Sequence, residues 1–185
     1  MKTSHIIASW LIVVGLVTAP YVFSDDEREH WKDEARYSTG VAFPANPVYQ
    51  NECGSCHMAY PPGLLPERSW RKLMAELHDH FGDNAELDTA NHQAITDFLV
   101  SNSADKSAYR RSRRFALTDG NDTTAIRISA TPYFRREHHE IPARLVTGNP
   151  EVRSFSHCNA CHTKATEGSF RERDILIPGY GRWDD

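Results

Sequence analysis

The chain has 185 residues, enough for one domain or two small ones, and its 39% hydrophobic content is low for a core that must stand alone. Its 25 acidic residues outnumber 21 basic ones, a net charge of −4, which argues against nucleic acid as a partner.

The chain opens with MKTSHIIASWLIVVGLVTAPYVFS. Lys2 supplies a positive start and Ile6 to Val17 an apolar run. Pro20 then breaks the helix, and Val22 and Ser24 are small enough for the −3 and −1 positions of a signal peptidase site. Residues 1–24 therefore read as a signal peptide, the mature chain starting near Asp25 and leaving the cytoplasm. The alternative is a retained membrane anchor, since Ile6 to Phe23 is 18 residues, at the lower limit for a span. Cleavage removes one lysine and no acid, so 20 bases face 25 acids at a net of −5. What remains is short of aliphatic residues, and a disulfide, a metal or a large apolar cofactor would have to contribute core.

Asp25 to Tyr37 is a charged stretch, and FPANP leads as a proline-rich connection into a helix predicted around Tyr49 to Met58. AYPPGLLPE is a rigid loop. The clearest helix runs from Ser69, as N-cap, to Phe81, with Gly82 at its stop. Trp70, Leu73, Met74, Leu77 and Phe81 form its apolar face. A second helix spans about Thr89 to Ser101 and carries Ile95, Phe98 and Leu99. From Ala104 the pattern changes. DKSAYRRSRRF is polar and basic, and LTDGNDTTA is turn-rich. IRISATPYFRREHHEIP begins extended and continues as a helix capped by Thr131, with Pro132 at its first position and its end near Pro142. Another helix is predicted at about Val152 to Thr163, a short one at Ser169 to Asp174, and then the tail ILIPGYGRW. The fold class that follows is mainly α and loop-rich, with an N-terminal lobe at 25–103 and a more irregular C-terminal lobe at 104–185.

All four cysteines lie in two Cys-x-x-Cys-His motifs, Cys53, Cys56 and His57 in the first lobe and Cys158, Cys161 and His162 in the second. Three chemistries use paired cysteines. A Cys-x-x-Cys closed on itself is a labile redox bridge and not a structural staple. A zinc ribbon does not fit, because 101 residues separate Cys56 from Cys158. Covalent c-type haem uses this very sequence. Positions i and i+3 lie on one face of a helical turn, so two sulfurs reach the two vinyl groups of one porphyrin, and the next histidine ligates its iron. Only this reading accounts for His57 and His162 as well as the cysteines. Two covalently attached haem c groups also supply the missing core.

Function turns on the ligand opposite each proximal histidine, since an open iron does chemistry and one with two protein ligands passes electrons. The candidates are His30, His78, His80, His92, His138, His139, His157, Met58 and Met74. Met58 directly follows His57, and His157 directly precedes Cys158, so each is badly placed for its own haem, although His157 is free to reach the other. His78 and His80 flank the apolar face at similar angles, given about 100° per residue, and periodicity does not choose between them. Met74 lies within that face and His92 on the stripe with Ile95 and Leu99. His138 shares a stripe with Phe134, Ile141 and Leu145, whereas His139 is turned away by about 100°.

The stretches ECGSCHMAYPPGLLPERSW, DHFGDNAELD, TPYFRREHHEIP, CNACH and IPGYGRW resemble the bacterial dihaem cytochrome c family of periplasmic electron carriers. The resemblance covers nearly all of the mature chain. It implies two bis-histidine, low-spin haems, an N-terminal lobe like a class I cytochrome c, and His80 and His138 as distal ligands. The simplest pairing is then His57 with His80 and His162 with His138, the alternative being an exchange of distal histidines between the lobes. It further implies an oxygen-binding monohaem cytochrome c of the sphaeroides haem protein type as electron acceptor and a membrane cytochrome b as donor. The expected function is electron transfer in the periplasm and not catalysis. The alternatives are a peroxidase-like dihaem enzyme with one open haem, and a dihaem subunit of a terminal reductase. The run Arg110, Arg111, Arg113, Arg114 is either a docking patch, a set of haem-propionate partners or a solvated loop.

Overall fold

The structure is a computed structural model and describes residues 40–41, 43–117 and 125–183. The segment read as a signal peptide, the charged stretch 25–37 with His30, and most of the turn-rich loop lie outside the described residues. Among those described, seven α-helices, short 3₁₀ turns and one two-stranded hairpin make up the regular structure, as the mainly helical, loop-rich reading expected. No helix among them is long and apolar enough to cross a membrane.

Helix α1 spans Pro47–Cys53, started by Pro47 and by Asn46, whose side chain accepts a hydrogen bond from the Tyr49 amide at 2.9 Å. The proline loop then forms a 3₁₀ turn at Pro62–Leu64. Helix α2, Glu67–Ala75, begins two residues before the predicted N-cap. Pro66 has an extended backbone that ends the loop, and Ser69 is buried inside the helix, where it caps nothing. The helix also stops early, at Ala75, and continues only as a 3₁₀ turn at Leu77–Asp79. Helix α3 covers Thr89–Ser101 as expected, with the Asp88 carboxylate accepting from the amides of Ala90 and Asn91.

In the second half, Arg110–Ala116 is a helix, α4, that the polar and basic reading had left without structure. Its signal is only Ser112 and Phe115, one turn apart and both buried. Helix α5 spans Pro132–His138, capped as expected by Thr131, and a short α6 at Ala143–Val146 follows. The helix predicted over the second Cys-x-x-Cys-His motif is a single turn, α7, at Cys158–Cys161. Arg153 adopts φ 68°, a left-handed conformation that no continuing helix tolerates, so the chain before the motif is a loop. The tail closes as an antiparallel hairpin of β1, Leu176–Ile177, and β2, Gly181–Arg182, turned through Gly179 at φ 71°.

Two apolar clusters form the core. One draws on Tyr49, Leu65, Trp70, Met74, Ile95 and Leu99, where α1 and α2 pack on α3. Trp70 buries its indole there and donates from Nε1 to the Pro62 carbonyl at 2.7 Å. The other combines Val41 and Leu64 from the first half with Phe115, Tyr133, Phe134, Ala165 and Phe170 from the second. Backbone bonds also join the halves, Val41 N–H donating to the Gly168 carbonyl at 3.1 Å. Gly168 is obligatory at that crossing, with φ 75° and the Val41 oxygen 2.6 Å from where a Cβ would stand. Tyr60 and Ile128 pack against both clusters and so sit at their junction.

Candidate functional site

Helix α1 delivers Cys53 at its last residue, and the turn beyond it carries Cys56 and His57. Gly54 makes that turn by donating its N–H to the Gln50 carbonyl at 3.0 Å, so close that a Cβ would strike the carbonyl oxygen. The His57 ring donates from Nδ1 to the Met58 carbonyl at 2.8 Å, which fixes the tautomer and leaves Nε2 with its lone pair. Tyr60 stacks on His57 with ring centroids 4.7 Å apart.

Facing His57 is His80, with centroids 6.1 Å apart and planes 22° from parallel. His80 is not on α2. It sits beyond the 3₁₀ turn, in a tight loop held by its N–H on the Asp83 carbonyl at 2.7 Å and by the Gly82 N–H on the Asp79 carboxylate at 2.9 Å. Phe81 takes φ 60°, an uncommon conformation for a bulky residue, and its exposed ring lies under the Arg127 guanidinium at 3.8 Å. Burial, then the charges of His57 and Arg127, holds the His80 imidazole below its usual range.

The second site repeats the arrangement with different parts. Cys158 and Cys161 stand at i and i+3 of α7, and His162 follows as its C-cap, its N–H on the Cys158 carbonyl at 2.8 Å. His138, the last residue of α5, faces it at 6.0 Å with planes 71° apart. His138 donates from Nδ1 to the Phe134 carbonyl at 2.9 Å and stacks on the Phe134 ring at 3.8 Å, which again directs Nε2 across the gap. Both histidines line an apolar cavity walled by Leu64, Phe115, Phe134 and Phe170. Burial, then His138 and the Arg111 charge, pushes the His162 imidazole down to about 4, so it is neutral at pH 7, as a metal ligand must be. Its Nδ1 is buried without a hydrogen-bond partner.

Two imidazoles that each hold a metal at about 2 Å place their ring centroids roughly 6 Å apart. Both facing pairs match, and the apolar cavity beside one of them suits a flat macrocycle, so the residues present fit haem. Among the described residues no group of three or more His, Cys, Asp or Glu side chains is gathered for a bare metal ion, and no disulfide joins the cysteines. Burial pushes the thiols of Cys53 and Cys158 up to about 11, the opposite of a reactive redox pair.

The other candidates are placed elsewhere. His78 is exposed, His92 donates from Nε2 to the Met74 carbonyl at 2.9 Å, and Met74 is core. Met58 packs against the second-half cluster, and exposed His139 bonds the Arg136 carbonyl. His157 lines a second cavity beside His138 and is tied through Nδ1 to the Val152 carbonyl at 2.7 Å. Two features of the site lay outside the sequence reading. One is Arg127, 46 positions along the chain from the Phe81 ring it covers, with nothing in the local pattern to link them. The other is the bond from the Tyr60 hydroxyl to the Ser156 carbonyl at 2.7 Å, which joins the ring stacked on His57 to the loop entering the second motif.

Comparison with known proteins agrees with this chemistry. The family model of the dihaem cytochromes c matches residues 49–170. A crystal structure of a diheme cytochrome c from Shewanella baltica is 43% identical, with a TM-score of 0.63, covering 77% of this chain and all of its own. The diheme cytochrome c of Rhodobacter sphaeroides is 44% identical, with a TM-score of 0.60, over 70% of this chain and all of that one. No curated protein matches. With a match over most of its length and neighbours at this identity, the chain belongs to the dihaem cytochrome c family, carries two covalently bound haem c groups and transfers electrons through them.

Proposed function

We propose that the protein is a periplasmic electron carrier whose two haems are both low-spin and held between pairs of histidines. In this reading Cys53 and Cys56 attach one haem, ligated by His57 and His80. Cys158 and Cys161 attach the other, ligated by His162 and His138. The observation that carries it is the pair of facing imidazoles at 6.1 and 6.0 Å, each with the spacing of a metal held between two nitrogens.

Haem c, when bound, supplies a one-electron couple between ferric and ferrous iron. The chain's own residues do the rest. The backbone carbonyls of Met58 and Phe134 orient His57 and His138 through their Nδ1–H bonds, which also raises the basicity of the ligating nitrogens. Two histidines on each haem leave no position for substrate and, without a methionine ligand, favour low potentials. Leu64, Phe115, Phe134 and Phe170 give the second site an apolar wall. Tyr60 ties the sites together and would hold two bound haems in fixed relation. The start of the sequence, read as a signal peptide, supports export, since c-type haem is attached outside the cytoplasm. The partners we propose are an oxygen-binding monohaem cytochrome c of the sphaeroides haem protein type as acceptor and a membrane cytochrome b as donor.

Carbon monoxide separates this function from a peroxidase-like enzyme. The reduced protein should show no change in its Soret band on addition of the gas. A haem that takes it up within the mixing time has an open position, and the enzyme reading then replaces this one.

A further inference from the structure

We propose that the outer faces of α4 and α5 form the docking surface for the acidic face of a redox partner protein, and that electrons leave through the second haem site behind it. The inference rests on the electron-carrier reading and adds where and by what charge the partner binds.

The chain is net negative, at −4, yet Arg110, Arg113 and Arg114 on α4 and Arg135 and Arg136 on α5 are all exposed. The two helices are in contact, and the Arg114 and Arg136 guanidiniums form one positive surface across that contact. Tyr133, buried between the helices, organises it. The Arg114 and Arg136 guanidiniums lie 5.9 and 5.1 Å from its ring centroid, and Phe115 meets the ring edge-on at 4.8 Å. One acid answers them among the described residues, Glu137, whose carboxylate is 3.4 Å from Arg136, an exposed pair of little strength.

Position makes the patch functional. Helix α5 ends at His138, and Arg136, about 200° round the same helix, puts its positive charge on the side away from the second site. Arg111, next to Arg110, turns inward, lines the cavity and donates to the Phe170 carbonyl at 2.7 Å. A partner held on the outer face therefore stands over the short wall of a redox centre, where a docking site for electron exchange must be. A concentrated positive patch on a negative protein orients an acidic partner against the general repulsion and raises its encounter rate. An anionic membrane would be attracted by the same charge, but a lipid surface accepts no electron, which is why the patch beside the redox centre favours a protein.

The test uses the fully reduced, haem-loaded protein and an acidic blue-copper protein in its Cu(II) form. One electron leaves a reduced haem and Cu(II) becomes Cu(I), with no atom transferred. The rate should fall as salt is added, although both proteins are net negative. The double variant Arg113→Glu with Arg135→Glu should slow it at least tenfold at low salt, while oxidation by neutral benzoquinone stays unchanged. Calorimetric titration of the two reduced proteins, between which no electron passes, should show at least tenfold weaker binding for the same variant. A rate that rises with salt, or one the variant leaves alone, overturns the proposal. So does arginine-dependent sedimentation with phosphatidylserine vesicles while the copper reaction is indifferent to the variant, which would make the patch a membrane contact. Failure of benzoquinone to oxidise the wild-type protein would instead defeat the electron-carrier reading itself.

Discussion

Replacing His138 by alanine converts one of the two haems to a high-spin form that binds carbon monoxide, while both haems stay covalently attached. The imidazole is the last side chain of α5, and the helix does not depend on it. Thr131 and Pro132 set its start, and Tyr133 and Phe134 bury it against the core. Alanine therefore removes the proposed ligand and leaves the scaffold. No neighbour steps in, because His139 is exposed and bonded to the Arg136 carbonyl, and His157 is tied to the Val152 carbonyl. About half of the low-spin absorption should be lost, as expected when one of two bis-histidine centres loses an axial ligand. His80→Ala should do the same to the other haem, with His78, exposed and two residues earlier, unable to replace it. A variant that keeps two low-spin haems would show that its histidine is not a ligand.

Replacing Cys158 and Cys161 together by alanine should halve the covalent haem, from two per chain to one, by pyridine haemochrome assay. The structural effect should be larger than the substitutions themselves. The cavity beside His138 and His162 is walled by Leu64, Phe115, Phe134 and Phe170, which belong to the cluster joining the two halves. Even single large-to-small core changes cost about 2–5 kcal/mol, against a total stability of roughly 5–15 kcal/mol. Losing a macrocycle from this cavity removes far more contact than that. Trypsin should therefore cut the variant quickly after the arginines of α4 and α5, while the wild-type protein resists under the same conditions. A variant with two covalent haems would refute the attachment, and one with a single haem but wild-type resistance would refute haem as part of the core.

How far the sequence showed this depended on the length of each signal. Helix α3 was legible to the residue because Ile95, Phe98 and Leu99 recur at helical spacing and Ser101 ends the pattern before Asn102. The motif at Cys158 has the same spacing as a helix but only one turn of it, and Arg153 in a left-handed conformation cuts off the longer helix expected. Helix α4 was hidden because four arginines surround two small signs of burial, Ser112 and Phe115. The choice between His78 and His80 could not be made from angles, because α2 ends at Ala75 and His80 is placed by a loop. That loop depends on Phe81 and on Arg127 from the other half, a long-range contact no local pattern encodes. The proximal motifs, by contrast, were readable at once because covalent attachment demands fixed spacing.

The most direct test of the central claim is low-temperature electron paramagnetic resonance of the purified ferric protein. Two distinct low-spin signals are expected. The near-parallel rings of His57 and His80, at 22°, should give a rhombic one, and the steeply crossed rings of His138 and His162, at 71°, a more anisotropic one. Together they should account for all of the iron. A high-spin signal amounting to one haem per molecule would contradict the account, since it would mean an iron that lacks its second histidine.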